Sequence, residues 1–273
     1  MNVTQPALSA QIRELERRLG FQLFVRTSRT VTLTPEGGLF LVKAERFVHE
    51  NDWINRAARD IRDTKLRIGV AHYTSLIAKR RELIEQFIIT HKQLPISIVG
   101  RSHAQLIGDL VRNEIDVAVT LQCEGAAASP VEPAVPKEID RFVVAERKLR
   151  LLMPSSIMPA GEFWLPRDGL AGLQVATINR SHGVSLSEAI LRELQRLGAV
   201  PVQAPEGDGP SVMRYAALMD MAAVDLGWFE PVAGLVSCDV EGLDLVSTLV
   251  VLARPGERRE GADLFLQHLD SRP

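Results

Sequence analysis

Cysteine is scarce in this 273-residue chain: Cys123 and Cys238 stand far apart and form neither a CxxC pair nor a zinc-ligand spacing. A reduced, cytoplasmic setting fits best. No window of about 20 uninterrupted apolar residues occurs, which excludes a membrane-spanning helix of that kind. The N-terminus has no basic stretch leading into an apolar one, so a secretory signal is not expected. The GxGxxG, P-loop and HExxH signatures are missing. "GVSLS", Gly183 to Ser187, lacks the second glycine of a nucleophile elbow. An enzyme reading therefore has little to stand on. What remains is a chain of ordinary globular composition, 46% hydrophobic and 24% charged, long enough for two or three domains.

Charge is unevenly spread. Residues 1–62 hold ten Lys/Arg against seven Asp/Glu, or +3, so the remainder carries -5 of the net -2. A basic N-terminal module on an acidic body points that end toward a polyanion. Within it, Leu8, Ile12, Leu15 and Leu19 recur at i, i+4, i+7 and i+11 and predict one apolar helix face. Thr4 suits the N-cap, Pro6 the first turn, and Gly20 the C′ position. The opposite face carries Gln5, Ser9 and Arg13. Gln reads adenine edges, and Ser and Arg serve bases or phosphates. A plain amphipathic surface helix is the alternative.

"FQLFVRTSRTVTLT", Phe21 to Thr34, places short β-prone runs on either side of Arg26-Thr27-Ser28-Arg29. It predicts a hairpin with two arginines at its tip, the wing of a winged helix-turn-helix. A long helix follows, capped by Thr34, opened by Pro35 and begun with Glu36. Phe40, Phe47, Ile54 and Ile61 repeat every seven residues, with Ala44, Asn51 and Ala58 on the alternate seam. Three such heptads predict dimerisation, and Asn51 is placed to set the register. The alternative is a helix packed on its own body.

"VTQPALSAQIRELERRLGFQLFVRTSRTVTLTPEG" closely resembles the winged helix-turn-helix of LysR-type transcriptional regulators. The resemblance rests on the T-Q-P-A-x-S-x-Q-I run, LE-x-x-LG, LF-x-R-x-x-R and LT-x-x-G, about 35 residues in all. It implies DNA contacts from Thr4, Gln5, Pro6 and Ser9 on the recognition helix and from Arg26 and Arg29 in the wing. It also implies dimerisation through the helix of residues 35–62. The family places a helix and most of a second ahead of this stretch, and this sequence starts after them. The expectation is that these 273 residues alone bind specific DNA poorly, because an isolated helix of this length is marginal in water.

Beyond residue 65, "LRIGVA", "ISIVG" and "IDVAVTL" alternate with helical patterns at Ser75 to Lys92 and His103 to Asn113. That alternation predicts parallel α/β units. "EGAAASPVEPAVP", Glu124 to Pro136, reads as a loop. A second set comprises strands at "RLLM", "LQVATI", "VPVQA", "DLGWF" and "LVSTLVVLA". Its helices are Val184–Leu197, Ser211–Met221 and Gly261–Leu269. Crossings near Arg141–Arg147 and Glu241–Val246 suggest two lobes with a cleft between them. The layout is similar to the effector domain of the same family, which shares its two-lobed form with periplasmic binding proteins. The second lobe departs from the family pattern at "MAAVDLGWFEP", Met221 to Pro231, and at Ser156-Ile157-Met158.

The expected architecture is α/β: a partial winged helix-turn-helix (1–34), a linker and dimerisation helix (35–64) and an effector-binding domain (65–273). Lobe I covers about 65–141 and 246–273, and lobe II about 142–245. Strand-to-helix loops of such folds face the cleft, and helix N-termini suit anions. "HYTS", His72 to Ser75, and "RSH", Arg101 to His103, supply one side; "NRSH", Asn179 to His182, supplies the other. The candidate effector contacts are Tyr73, Thr74, Ser75, Arg101, Ser102, His103, Asn179, Arg180 and His182, for a small carboxylate or other anion. By resemblance the leading hydroxyls are Thr74 or Ser75 and Ser102. Helix caps and solvated arginines would account for the same residues.

The spacing of His72, His103 and His182 does not support a metal site, and no metal or cofactor is expected. Redox sensing by the two cysteines would need the lobes to meet around them; each reads more simply as a small buried residue. The combined expectation is a cytoplasmic, effector-controlled transcriptional regulator, acting as a homodimer or homotetramer on promoter DNA once its N-terminus is complete, with no membrane partner. The alternative is a cytoplasmic small-molecule binding protein that no longer reads DNA.

Overall fold

The computed structural model describes residues 5–26, 30–60, 65–124, 139–158, 164–180 and 183–271. It divides into two compact units, Met1–Asp63 and Thr64–Pro273, taken here one at a time.

In the first unit, α1 (Gln5–Leu19) ends as its sequence predicts: Gly20 takes φ +79° and donates its N–H to the Glu16 carbonyl. The Glu16 carboxylate then accepts the N–H groups of Leu23 and Phe24 at 2.8 and 3.2 Å, fixing where the chain enters the hairpin. Strands β1 (Phe24–Arg26) and β2 (Val31–Leu33) pair antiparallel, Phe24 opposite Leu33. The tip, with Arg29, lies outside the described residues, as does Thr4. Helix α2 (Pro35–Asp60) starts on the Thr34 hydroxyl, which accepts the Gly37 N–H at 2.8 Å. A Cβ at Gly37 would sit 2.1 Å from the Leu23 carbonyl oxygen, so the hairpin and α2 meet through glycine. Phe21 and Phe40 stack edge to face at 6.2 Å and Leu23 is buried beside them.

The second unit holds two sheets. The five-stranded sheet has the order β4-β3-β5-β13-β6, with β3 (Leu66–Ala71), β4 (Ile96–Arg101) and β5 (Val117–Glu124) parallel. β13 (Val246–Ala253) runs antiparallel between β5 and β6 (Asp140–Lys148). β3 and β13 are near-continuous apolar runs because both of their faces are covered. Among the covering helices α3 (Ala78–Thr90) and α7 (Glu260–Asp270) meet through Phe87 and Phe265, edge to face at 4.9 Å and fully buried. Burial of each such ring contributes about 1.5–3 kcal/mol.

The six-stranded sheet has the order β10-β9-β11-β7-β12-β8. β9 (Gln174–Thr177), β10 (Val200–Gln203) and β11 (Ala222–Asp225) are parallel, and β7 (Arg150–Pro154) runs antiparallel to β11 and to β12 (Leu235–Val240). β8 (Trp164–Leu165) pairs with β12. Between these strands run α5 (Val184–Arg196) and α6 (Gly209–Leu218). We call the two sheets with their helices lobe I and lobe II.

Three expectations need correction. Residues 141–147 are not a crossing: they lie in β6, an edge strand of lobe I with an alternating burial pattern, and the chain leaves lobe I only after Lys148. The boundary near 141 therefore moves by about seven residues, and Leu149 is the crossing residue. Its N–H donates to the carbonyl of Leu245 in the return crossing at 2.9 Å. "DLGWF" is not a strand: β11 ends at Asp225, and Gly227, with φ +76°, turns the chain. There Trp228 buries its ring and donates Nε1–H to the Ser247 hydroxyl of β13 at 2.7 Å, while Arg147 lies over the ring at 5.2 Å. Finally, β12 was not expected at all.

Candidate functional site

A cavity of about 540 Å³ lies between the lobes, at the segments that follow the carboxyl ends of β3, β4 and β10. From lobe I it is lined by His72, Tyr73, Ser75, Leu76, Arg101 and Ser102. From lobe II come Glu206, Gly207, Asp208, Ser211 and Arg214.

Local sequence explains the lobe I side. After β3 the chain makes a short 3-10 turn, His72–Thr74, closed by the Thr74 hydroxyl donating to the Ala71 carbonyl at 2.6 Å. That bond consumes Thr74, which is buried and does not line the cavity; Ser75 is exposed and does. Helix α4 (His103–Val111) begins with a capping box between Ser102 and Gln105. The Ser102 hydroxyl therefore serves the helix start while also facing the cavity. Arg101 is held rather than loose: its Nε donates to Asp109 at 2.8 Å and its Nη1 to the Gly100 carbonyl at 3.0 Å. Gly100 leaves room for the His72 ring, 2.6 Å from where a Cβ would stand.

His103 sits below this surface. It is buried, with Nδ1 2.9 Å from the Thr120 hydroxyl, which also lies 2.9 Å from the Tyr73 hydroxyl. On its other side is Gly183 of lobe II at φ +101°, where a Cβ would be 3.1 Å from the imidazole. His103 thus braces the lobes instead of lining the cavity.

On the lobe II side, Asp208 caps α6, its carboxylate accepting the N–H and hydroxyl of Ser211 at 2.9 and 2.7 Å. Partial burial works against its charge, but those two bonds and nearby Arg214 outweigh it and hold Asp208 below the usual carboxylate range. Arg214 donates to the Ser211 hydroxyl at 2.9 Å. Glu206 is exposed and makes no hydrogen bond or ion pair with any described residue.

Of the nine expected effector contacts, Tyr73, Ser75, Arg101 and Ser102 line the cavity. Thr74 and His103 are buried just behind it. Asn179 packs its carboxamide against Gly207 at the rim, within 2.5 Å of a Cβ there. Arg180 is exposed and paired with Glu188 at 3.0 Å. His182 lies outside the described residues. Sequence reading missed the segment from Glu206 to Arg214 as part of the site, although "DGPS" carries a helix-start signal, an Asp cap with Pro two residues on.

On α1, Ser9 is half-buried and Arg13 exposed, while Arg26 is exposed at the end of β1; for Gln5 and Pro6 the backbone alone is described. The apolar face of α1 is largely open: Leu8 and Leu15 are 50% and 39% exposed. Phe47 on α2 is 74% exposed, with Leu39, Val42 and Val48 also exposed. Ile61 lies outside the described residues, as do the side chains of Ile54 and Ala58. Among the described residues no three His, Cys, Asp or Glu side chains gather as a metal site, and no helix is long and apolar enough to cross a membrane.

A helix with an attached hairpin wing, followed by a two-lobed α/β binding fold, defines the class of protein. Residues 1–38 match the bacterial regulatory helix-turn-helix proteins of the lysR family. The uncharacterized HTH-type transcriptional regulator YcgK of Bacillus subtilis (strain 168) is 32% identical over 157 residues, 54% of this chain and 48% of that one. The HTH-type transcriptional regulator CbbR of Rhodospirillum rubrum is 24% identical over 267 residues, covering 94% and 83%. Full-length CbnR complexed with its target DNA shares the fold, with a TM-score of 0.55 at 16% identity, covering 98% of this chain and 90% of that one. The match spans about half of YcgK, and 41% of another relative, XapR of Escherichia coli (strain K12). Residues 1–38 thus carry a helix-turn-helix of the lysR-family type, and the chain as a whole shares the fold of solved LysR-family regulators.

Proposed function

We propose that this protein is a cytoplasmic, DNA-binding transcriptional regulator whose activity is set by a small anionic effector bound between lobes I and II. The observation that carries the reading is the cavity itself, bracketed by strand-end loops of both lobes and holding Arg101, Arg214, His72 and the Ser75 hydroxyl. A ligand touching both lobes favours one lobe angle over others, and that difference in affinity is all that regulation requires. Promoter DNA is read by Thr4, Gln5, Pro6, Ser9 and Arg13 on α1, with Arg26 and Arg29 of the wing on phosphates or the minor groove. The exposed row on α2 around Phe47 buries itself against a second copy, giving a dimer or a tetramer. CbnR, seen with its target DNA, supports the DNA half of this reading.

The cavity taken alone would equally serve a second reading, a small-molecule binding protein that does not read DNA. Fluorescence anisotropy with fragments from upstream of the protein's own gene separates the two. A sequence-specific complex that Arg13→Ala weakens, and that small carboxylates modulate, is the expected result. Carboxylate binding with no specific DNA complex would overturn the regulator reading.

A further inference from the structure

We propose that the effector is a zwitterion, a small molecule with an anionic group at one end and a protonated amine at the other. The inference rests on the cleft being the effector site. Sorting the lining residues by lobe gives two faces of opposite preference.

The lobe I face offers His72, Ser75, Arg101 and Ser102, and no carboxylate. Arg101 is fixed there through Nε and Nη1, which leaves its Nη2 edge without a described partner. With the exposed Ser75 hydroxyl beside it, this face is made to receive a carboxylate or similar anion. The lobe II face brings two carboxylates, Glu206 and Asp208, with one cation, Arg214. Asp208 is held ionised, and its oxygens serve Ser211. Glu206 is committed to nothing among the described residues.

A purely anionic ligand would meet like charge at Glu206 and Asp208 as the lobes close over it. A ligand with an ammonium group on the far side turns the same two carboxylates into partners. Its charge then matches the cavity end for end: anion to Arg101 and Ser75, cation to Glu206 with Asp208 behind it. Because the two ends fall on different lobes, a molecule carrying both charges ties the lobes together electrostatically through opposite-sign partners at each end.

The test uses the full chain and matched probes: each common α-amino acid beside the 2-oxo acid of the same side chain. Binding is read by thermal shift and then calorimetry. The expected result is at least one amino acid binding about tenfold or more tighter than its oxo acid, with Glu206→Gln removing most of that preference. Asp208→Asn should reduce it less. Glu206 is exposed and has no partner among the described residues, so the variant should fold, which circular dichroism checks. Oxo acids binding as tightly as the amino acids, or an amino-acid preference that Glu206→Gln leaves intact, would overturn the zwitterion proposal and leave the anion site standing. No shift from either series would overturn the proposal together with the cleft reading.

Discussion

Asp116 offers a direct test of how lobe I is held together. It is buried at the amino end of β5, where its carboxylate accepts the Arg67 backbone N–H at 2.8 Å and the Arg67 guanidinium at 2.8 and 3.3 Å. Arg259, at the start of α7, approaches to 3.5 Å. The Arg67 and Arg259 side chains are only 17% and 14% exposed. Asp116→Ala therefore takes the shared carboxylate away from two guanidinium groups with little access to water, and breaking a buried pair in this way costs about 3–5 kcal/mol. Against a typical total of about 5–15 kcal/mol the variant should still fold at room temperature. For a unit of this size the melting midpoint should drop by roughly 6–20 °C. Urea titration followed by tryptophan fluorescence and circular dichroism reads the loss. The triple variant Arg67→Met, Asp116→Leu, Arg259→Met should recover most of it, since replacing a whole buried ion cluster with apolar groups is often neutral. The cluster lies at the opposite strand ends from the cleft, so ligand affinity should stay within about twofold. A loss below about 1 kcal/mol, or a large affinity change, would refute this reasoning.

Gly183→Ala should destabilise the protein by about 1–3 kcal/mol, because φ +101° with ψ 132° is a region open almost only to glycine and the added methyl would press on His103; an unchanged urea midpoint would count against the brace. Asp208 is depressed in the folded protein, so its contribution is present above the usual carboxylate range and lost as pH falls through the lower folded value. Asp208→Asn should flatten the acid limb of the stability curve, and an unaltered limb would exclude the cap as its source. Burial pushes the Cys238 thiol up to about 11, so it should resist thiol reagents at pH 8 while half-buried Cys123 reacts. Equal modification rates under native conditions would contradict that.

Local signals carried the reading furthest where one residue does one job. Gly20 stops α1, Thr34 and Pro35 start α2, and Ser102 caps α4, each legible because the backbone need falls on a single side chain. β6 was hidden because half its residues face outward and are charged at both ends, so its alternation resembled a polar connection. β12, "LVSCDV", mixes Ser, Cys and Asp into a strand whose burial is set by β7 beside it, a fact of topology rather than of sequence. In the cleft, Arg101 and Ser75 were found from strand-end logic. Thr74 was not distinguishable from Ser75 until the Ala71 carbonyl was seen to claim its hydroxyl. Glu206 has no local signature, since an exposed glutamate acquires a role only from what stands across the cleft.

The bond between Leu149 and Leu245 gives the two crossings a mechanical character. Stitched together, they act as one short ribbon in place of two separate tethers. A ribbon bends more easily across its flat face than it shears in its own plane, so turning at the crossings would cost less than sliding. The Trp228 anchor bonds Ser247, two residues beyond Leu245, whereas no crossing residue lines the cavity. Whatever molecule fills the cleft, its chemistry can then set how far the lobes turn, while the ribbon sets the direction.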